Sequence, residues 1–167
     1  MRKQCQTLFF WAPKSLQMVI AAMKLKDAWD REQTHMSLKA PCIEEAAEVI
    51  CGINILDKTG DAGNLREELG DLLLQVVMHA VIAEEEGLFD MDDVLRGISE
   101  KMIRRHPHVF GTGKADTPEE VLQNWDEIKK QEKKPGTEDF EELVAAFEES
   151  RQLIDRAELR KKEKLGK

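Results

Sequence analysis

The 167-residue sequence has no tyrosine and few aromatic residues of any kind. It also lacks the alternation of apolar and polar positions that marks a half-buried strand. No stretch approaches the ~18 consecutive apolar residues of a membrane span. The short apolar run Leu8 to Ala12 is broken by Pro13 and Lys14, too soon for the core of a secretory signal. Cysteine is scarce: Cys5, Cys42 and Cys51 are odd in number and form no C-x-x-C pair. That suits free thiols in a reducing compartment better than a disulfide scaffold, and a cytoplasmic location is expected. Positive charge is in deficit, with a formal net charge of −8. Neither nucleic acid nor an anionic membrane is therefore expected as a partner. Internal repeats and low-complexity tracts are absent.

What is present is 41% hydrophobic and 35% charged residues, rich in Ala, Leu, Glu and Lys. This is the composition of a folded, all-α protein with one real core. Periodicity places helices near residues 15–26, 38–57, 64–87, 91–104, 118–132 and 138–163. Asn64 and Glu67 have the spacing of a capping box, as do Thr117 and Glu120 with Pro118 between them. Pro107 should end a helix near Arg105, and "KKPGT" should separate the last two helices. The final helix is acidic first and basic last, which complements its dipole, and it reads as a solvated helix or a partner-packing arm.

Two segments conflict with a simple buried helix. "IEEAAEVI" sets Glu44, Glu45 and Glu48 among apolar residues, and "REELGDLLLQVV" sets Glu67, Glu68 and Asp71 before an apolar run. Residues three apart share a helix face, so Glu45 pairs with Glu48 and Glu68 with Asp71. On the later helix Leu65, Leu69, Leu72, Leu73, Val76 and Val77 mark the apolar face, with Glu68 at its edge and Glu67 pointing roughly away. Single pairs of this kind simply complement a helix N-terminus. Two pairs facing each other would need protons or a cation to offset their repulsion. All-oxygen ligands suit Mg²⁺ or Mn²⁺ rather than zinc. A di-iron bundle needs a Glu-x-x-His pair on each of two helices, and the chain does not carry two. In "EKMIRRHPHVFG", Lys101 and Arg105 share a face at a helix end, where they either compensate the dipole or hold phosphate. Trp29 and Trp125 could each be core residues, "HPHVFG" a tight post-helix turn, and Cys42 and Cys51 small buried groups.

The ordered set "WDREQTHMSLK", "IEEAAEVI", "LREELGDLLLQVVMHAVIAEEEGLFDMDDV", "EKMIRRHPHVFG" and "NWDEIKKQE" closely resembles the MazG-type nucleoside triphosphate pyrophosphohydrolases. The resemblance covers roughly residues 28–133. It implies three parts: an N-terminal segment and first helix over 1–27, the MazG-like domain over 28–133, and a C-terminal amphipathic helix over 134–167. It also implies an all-α chain whose four-helix core is completed by dimerisation, as a homodimer or a dimer of dimers. The implied reaction is Mg²⁺-dependent hydrolysis of a nucleoside triphosphate to the monophosphate and pyrophosphate, by attack at the α-phosphorus. Mn²⁺ is a possible substitute for Mg²⁺. By motif position Glu45, Glu48, Glu68 and Asp71 would bind metal and Glu44 would orient or deprotonate water. Lys101 and Arg105 would hold phosphates, and Trp125 would lie near the nucleotide. The alternative is a catalytically weak helical dimer that binds nucleotide or a protein partner. The sequence departs from the family where Asp27-Ala28 replaces a Cys-Pro before "WD" and where Ala47 replaces a common aromatic residue. It carries one copy of a domain that many relatives have in tandem.

Overall fold

The structure is a computed structural model that describes residues 11–132 and 140–166. Among the described residues there are eight helices and no strand. They are α1 (Trp11–Lys26), α2 (Ala28–Arg31), α3 (Lys39–Thr59), α4 (Gly63–Glu85), α5 (Met91–Arg105), α6 (Pro107–Phe110), α7 (Pro118–Glu132) and α8 (Phe140–Lys164). The all-α expectation holds, and the helix bounds lie close to those read from periodicity. The "KKPGT" separator falls outside the described residues. No described helix is long and apolar enough to cross a membrane.

The chain divides into two compact units, residues 1–91 with 146–167, and residues 92–145. In the first unit α3 and α4 pack along each other, and α1 packs on α4. Glycine makes the hairpin between α3 and α4 possible. Gly60 closes α3 in the left-handed conformation, φ 75°, and its N–H donates to the Leu56 carbonyl at 2.8 Å. That conformation costs a Cβ-bearing residue energy and costs glycine none. The buried core joins Ile20 of α1 and Leu38 to the C-terminal half of α4, where Val77, Met78, Ala80, Val81, Ile82 and Ala83 are all buried. Lys24 is also buried, and its ammonium meets Glu85 at 2.7 Å.

Several sequence expectations need correction here. Asn64 is not a cap: α4 starts at Gly63, and Asp61 Oδ1 takes the Gly63 N–H at 2.8 Å instead. The entry turn thus satisfies its own backbone donor, and the Asn64 amide is released for another contact. The stripe Leu69, Leu73 and Val76, expected on the buried face, is exposed, because α4 presents Glu68, Gln75 and Met78 to its neighbours within the chain. Cys51 is exposed and Cys42 half-buried. Trp29 is not a core residue, being 62% exposed. Asp27, at the departure from the family pattern, caps α2 by accepting from the Trp29 and Asp30 N–H groups. The one Glu-x-x-His spacing, Glu32 to His35, falls in the turn after α2 and on no bundle helix.

His35 stacks on His79 of α4, with ring planes 6° apart and Nδ1 atoms 2.7 Å apart. One Nδ1 donates and the other accepts, so protonating both rings would set two N–H groups head to head. Glu86 lies 3.7 Å from the far nitrogen of His35. Burial, then the charge of His35, holds the His79 imidazole below its ordinary value of 6.5. The unfolded chain therefore binds this proton more readily than the folded one, and stability falls as pH drops through about 6.5. Thermal melts should show a lower Tm at about pH 5.5 than at about pH 7.5, with a smaller difference in His79→Gln. An equal pH slope in the two proteins would remove His79 as the cause.

In the second unit Thr117 caps α7, as expected, accepting from the Glu120 N–H at 3.3 Å. Glu120 takes the Asp116 N–H at 2.7 Å in turn. α5 ends at Arg105, and α6 begins at Pro107. The His106 ring Nδ1 lies 2.6 Å from the Met102 carbonyl of α5, and the Gly111 N–H donates to the Pro107 carbonyl at 2.9 Å, so "HPHVFG" does form the tight turn expected of it.

Candidate metal centre

The α3–α4 hairpin brings the two acidic motifs together. Carboxylate oxygens of Glu45 and Glu48 from α3 and Glu68 from α4 lie within 4.8 Å of one another. Glu68 is buried and the other two are half-buried. Asp71, one turn beyond Glu68, lies outside that 4.8 Å group, yet its charge reaches Glu45. At this spacing each pair of full charges repels by about 3 kcal/mol at an effective dielectric near 20, before screening by salt. The consequence is visible at Glu45. Burial first, then the charges of Glu48, Asp71 and Glu68, push its carboxyl above the ordinary carboxylate value.

Asn64, released from capping, donates its amide N–H to Glu68 Oε1 at 2.8 Å and so orients that carboxylate. Its own Oδ1 is buried without a partner. Sequence reasoning missed this role, because the only local signal was the four-residue spacing from Asn64 to Glu68.

Two cations also meet the site, and both come from α8. Arg160 forms an ion pair with Glu44, and Lys161 forms one with Glu48. A third pair, Lys39 with Glu149 at 2.9 Å, joins the start of α3 to α8. A cavity of about 470 Å³ opens between these helices, lined by Glu44, Glu48, Glu68 and Lys161 on one side and by apolar groups such as Ile55 and Ile154. The basic end of α8 therefore has a defined acidic partner and is not merely solvated.

The donor set fits a hard divalent cation. It is all oxygen, already converged, and carries more negative charge than its surroundings neutralise. Glu45→Gln should raise the metal-free Tm, since it removes the charge most opposed by its neighbours. Each kcal/mol recovered corresponds to roughly 2–4 °C in a chain of this size. The same substitution should abolish the further rise expected of the parent protein on adding Mn²⁺, because a ligand that binds only the native state stabilises it. Parallel melts with and without Mn²⁺ check both effects.

Lys101, Arg105 and Trp125 belong to the second unit. The Arg105 guanidinium lies 4.9 Å over the Trp125 ring and donates to Glu132 at 2.6 Å. Arg104 donates to the other oxygen of Glu132 at 2.6 Å. These two hydrogen bonds, Arg105's first, hold the Glu132 carboxyl below the ordinary range. His106 meets Trp125 edge-on at 5.2 Å. Arg105 and Trp125 thus form one group, while Lys101 is exposed beside them on α5.

Comparison with known proteins bears on the same segment. Residues 33–110 match the family described as the MazG nucleotide pyrophosphohydrolase domain. The chain is 53% identical over 105 residues to a nucleoside triphosphate pyrophosphohydrolase/pyrophosphatase MazG of Thermotoga maritima, covering 63% of this chain and 38% of that protein. It is 46% identical over 105 residues to a nucleoside triphosphate pyrophosphohydrolase of Escherichia coli K12, again 63% of this chain and 38% of the relative. It is also 53% identical over 105 residues to an uncharacterized protein, YabN, of Bacillus subtilis, 63% of this chain and 21% of that protein. The chain thus spans between a fifth and two fifths of the length of these relatives. No solved structure matches it at comparable significance. The acidic hairpin and the family match thus fall on the same residues: residues 33–110 are similar to the MazG nucleotide pyrophosphohydrolase domain.

Proposed function

We propose that this chain hydrolyses nucleoside triphosphates to the monophosphate and pyrophosphate with the help of Mg²⁺, for which Mn²⁺ can substitute. The observation that carries this reading is the convergence of Glu45, Glu48 and Glu68 within 4.8 Å in the matched domain. Relatives bearing the name nucleoside triphosphate pyrophosphohydrolase support the substrate class. In this reading Glu45, Glu48, Glu68 and Asp71 hold the divalent cation. Once bound, the cation lowers the pKa of a coordinated water and neutralises phosphate charge.

The chain's own groups orient the rest. Asn64 fixes the rotamer of Glu68 through its amide. Glu44, adjacent to the ligand Glu45, takes the proton from the water that attacks the α-phosphorus. Lys101 and Arg105 hold phosphate oxygens by charge-assisted hydrogen bonds. The Trp125 ring meets the nucleotide, held in place by Arg105 and His106.

The proposal extends to assembly. Ile50 and Ile53 of α3 and Leu69, Leu73 and Val76 of α4 are each between 40% and 61% exposed. Such an apolar face on paired helices is a liability unless covered. A second copy of the α3–α4 hairpin would cover it and complete a four-helix core.

The test is product analysis on a panel of ribo- and deoxyribonucleoside triphosphates, with Mg²⁺ and with chelator. Pyrophosphate and monophosphate should form only with the metal. Orthophosphate and nucleoside diphosphate would instead mean attack at the γ-phosphorus, and the mechanism would be wrong. A folded protein with no turnover of any nucleotide would leave a nucleotide- or protein-binding module as the better reading.

A further inference from the structure

Resting on the metal-site reading above, we propose that Arg160 and Lys161 of α8 are phosphate-binding residues of this site, held on Glu44 and Glu48 until metal and substrate arrive. Both lie outside residues 33–110, the part of the chain that matches the family. Three observations converge on them.

First, the basic groups are placed on two acidic residues of one motif, one turn apart on α3. Adjacent residues on α8 reach both, so the pairing is a register between two helices rather than one chance contact.

Second, the attachment of α8 is of a kind that can be exchanged. Close helix–helix packing in this unit involves α1, α2, α3 and α4, whereas α8 buries only Ala157 among its described residues and meets α3 through long side chains. The partners are partly exposed, with Arg160 and Lys161 each 52% exposed. Ion pairs of this type contribute little net stability.

Third, the space beside the pairs suits a nucleotide. The cavity of about 470 Å³ is bounded by Glu48, Glu68 and Asn64 at one wall and by Ile154, Ala157, Lys161 and Lys162 of α8 at another. A ligand there would meet carboxylates and cations together, as a metal-bound polyphosphate requires.

Electrostatics then sets the order of events. A divalent cation on Glu48 removes the reason for Lys161 to stay there, and a triphosphate brings oxygens that replace the lost partner. The same two side chains therefore oppose binding of metal alone and favour binding of metal with nucleotide.

This opposition defines the experiment. Calorimetry would follow Mn²⁺ alone, and then a nucleoside triphosphate with an α,β-imido bridge in the presence of Mn²⁺. The proteins compared are the full chain, R160Q, K161Q and the double variant, with circular dichroism to confirm folding. The double variant should bind Mn²⁺ alone roughly threefold or more tighter, because a competing state is removed. It should bind the Mn²⁺–analogue complex roughly tenfold more weakly, because charge-assisted contacts are lost. The charge-conserving variants R160K and K161R should restore analogue binding.

Weaker binding of both ligands would mean that α8 only supports the fold, and the proposal would be wrong. Tighter Mn²⁺ binding with unchanged or tighter analogue binding would overturn it too, leaving α8 as a cover. Unchanged binding of both ligands would overturn it without touching the metal site. If the parent protein bound neither ligand, the metal-site reading itself would fail, and this inference with it.

Discussion

Glu48→Gln and Asp71→Asn should each lower the rate of pyrophosphate release by about a thousandfold or more while the helical signal persists. Each substitution removes one negative charge at nearly constant volume, so packing is hardly disturbed. In the proposed mechanism each carboxylate would supply a donor to the divalent cation, and its loss would remove the activation of water and the neutralisation of phosphate charge. Glu48 belongs to the converged group, whereas Asp71 acts on it from one turn away. Comparing the two therefore tests whether all four carboxylates act as one unit. Glu67 is the internal control. It sits in the same motif next to Glu68 but is exposed, and Glu67→Gln should leave turnover within about twofold, as surface substitutions commonly do. Substitution effects that are equal at Glu67 and Glu48 would deny the cluster any special role. Steady-state kinetics at saturating Mn²⁺ separates the outcomes, since a variant that has merely lost affinity recovers and one that has lost a catalytic ligand does not.

The acidic pairs were legible because helical geometry is local. Residues three apart share a face whatever the fold, and the three residues linking α3 to α4 leave little choice but an antiparallel hairpin. The helix bounds were legible for similar reasons, through Pro107 and the cap at Thr117. What escaped sequence reading depends on partners far along the chain. Asn64 looks like a cap until Asp61 is seen to take the backbone donor in its place. Leu69, Leu73 and Val76 are correctly read as one apolar stripe, but periodicity gives the stripe and not what covers it. The contacts of Arg160 and Lys161 join residues more than a hundred positions apart. A basic helix end has a sufficient local explanation in the helix dipole, so nothing in the sequence called for a second one.

Gly52→Ala should damage stability and metal affinity together, although Gly52 carries no functional group. It is buried on α3, one turn after Glu48. A Cβ built there would lie 2.7 Å from Leu65 Cα and 3.0 Å from Leu65 N, both backbone atoms of α4. No rotamer change relieves a clash with backbone, so the two helices must separate. Overpacking of this kind costs about 1–3 kcal/mol, against a gain of at most about 1 kcal/mol from replacing glycine by alanine inside a helix. A fall in Tm of several degrees follows for a chain of this length. The larger consequence is at the site, because Leu65 stands between Asn64 and Glu68 on α4 and Glu48 stands beside Gly52 on α3. Moving the helix backbones apart at this crossing separates Glu48 from Glu68, and Mn²⁺ affinity should fall by about tenfold or more, since a divalent cation tolerates little error in donor spacing. Gly97 provides the comparison. It lies inside α5, where a Cβ would meet nothing within 4 Å, so Gly97→Ala should raise Tm slightly and leave Mn²⁺ binding unchanged. If Gly52→Ala instead behaved like Gly97→Ala, the close approach of α3 and α4 would not be what sets the spacing of the carboxylates. The expected split between two identical chemical changes isolates geometry from propensity: the glycine at the helix crossing lets two acidic helices bring their carboxylates close together.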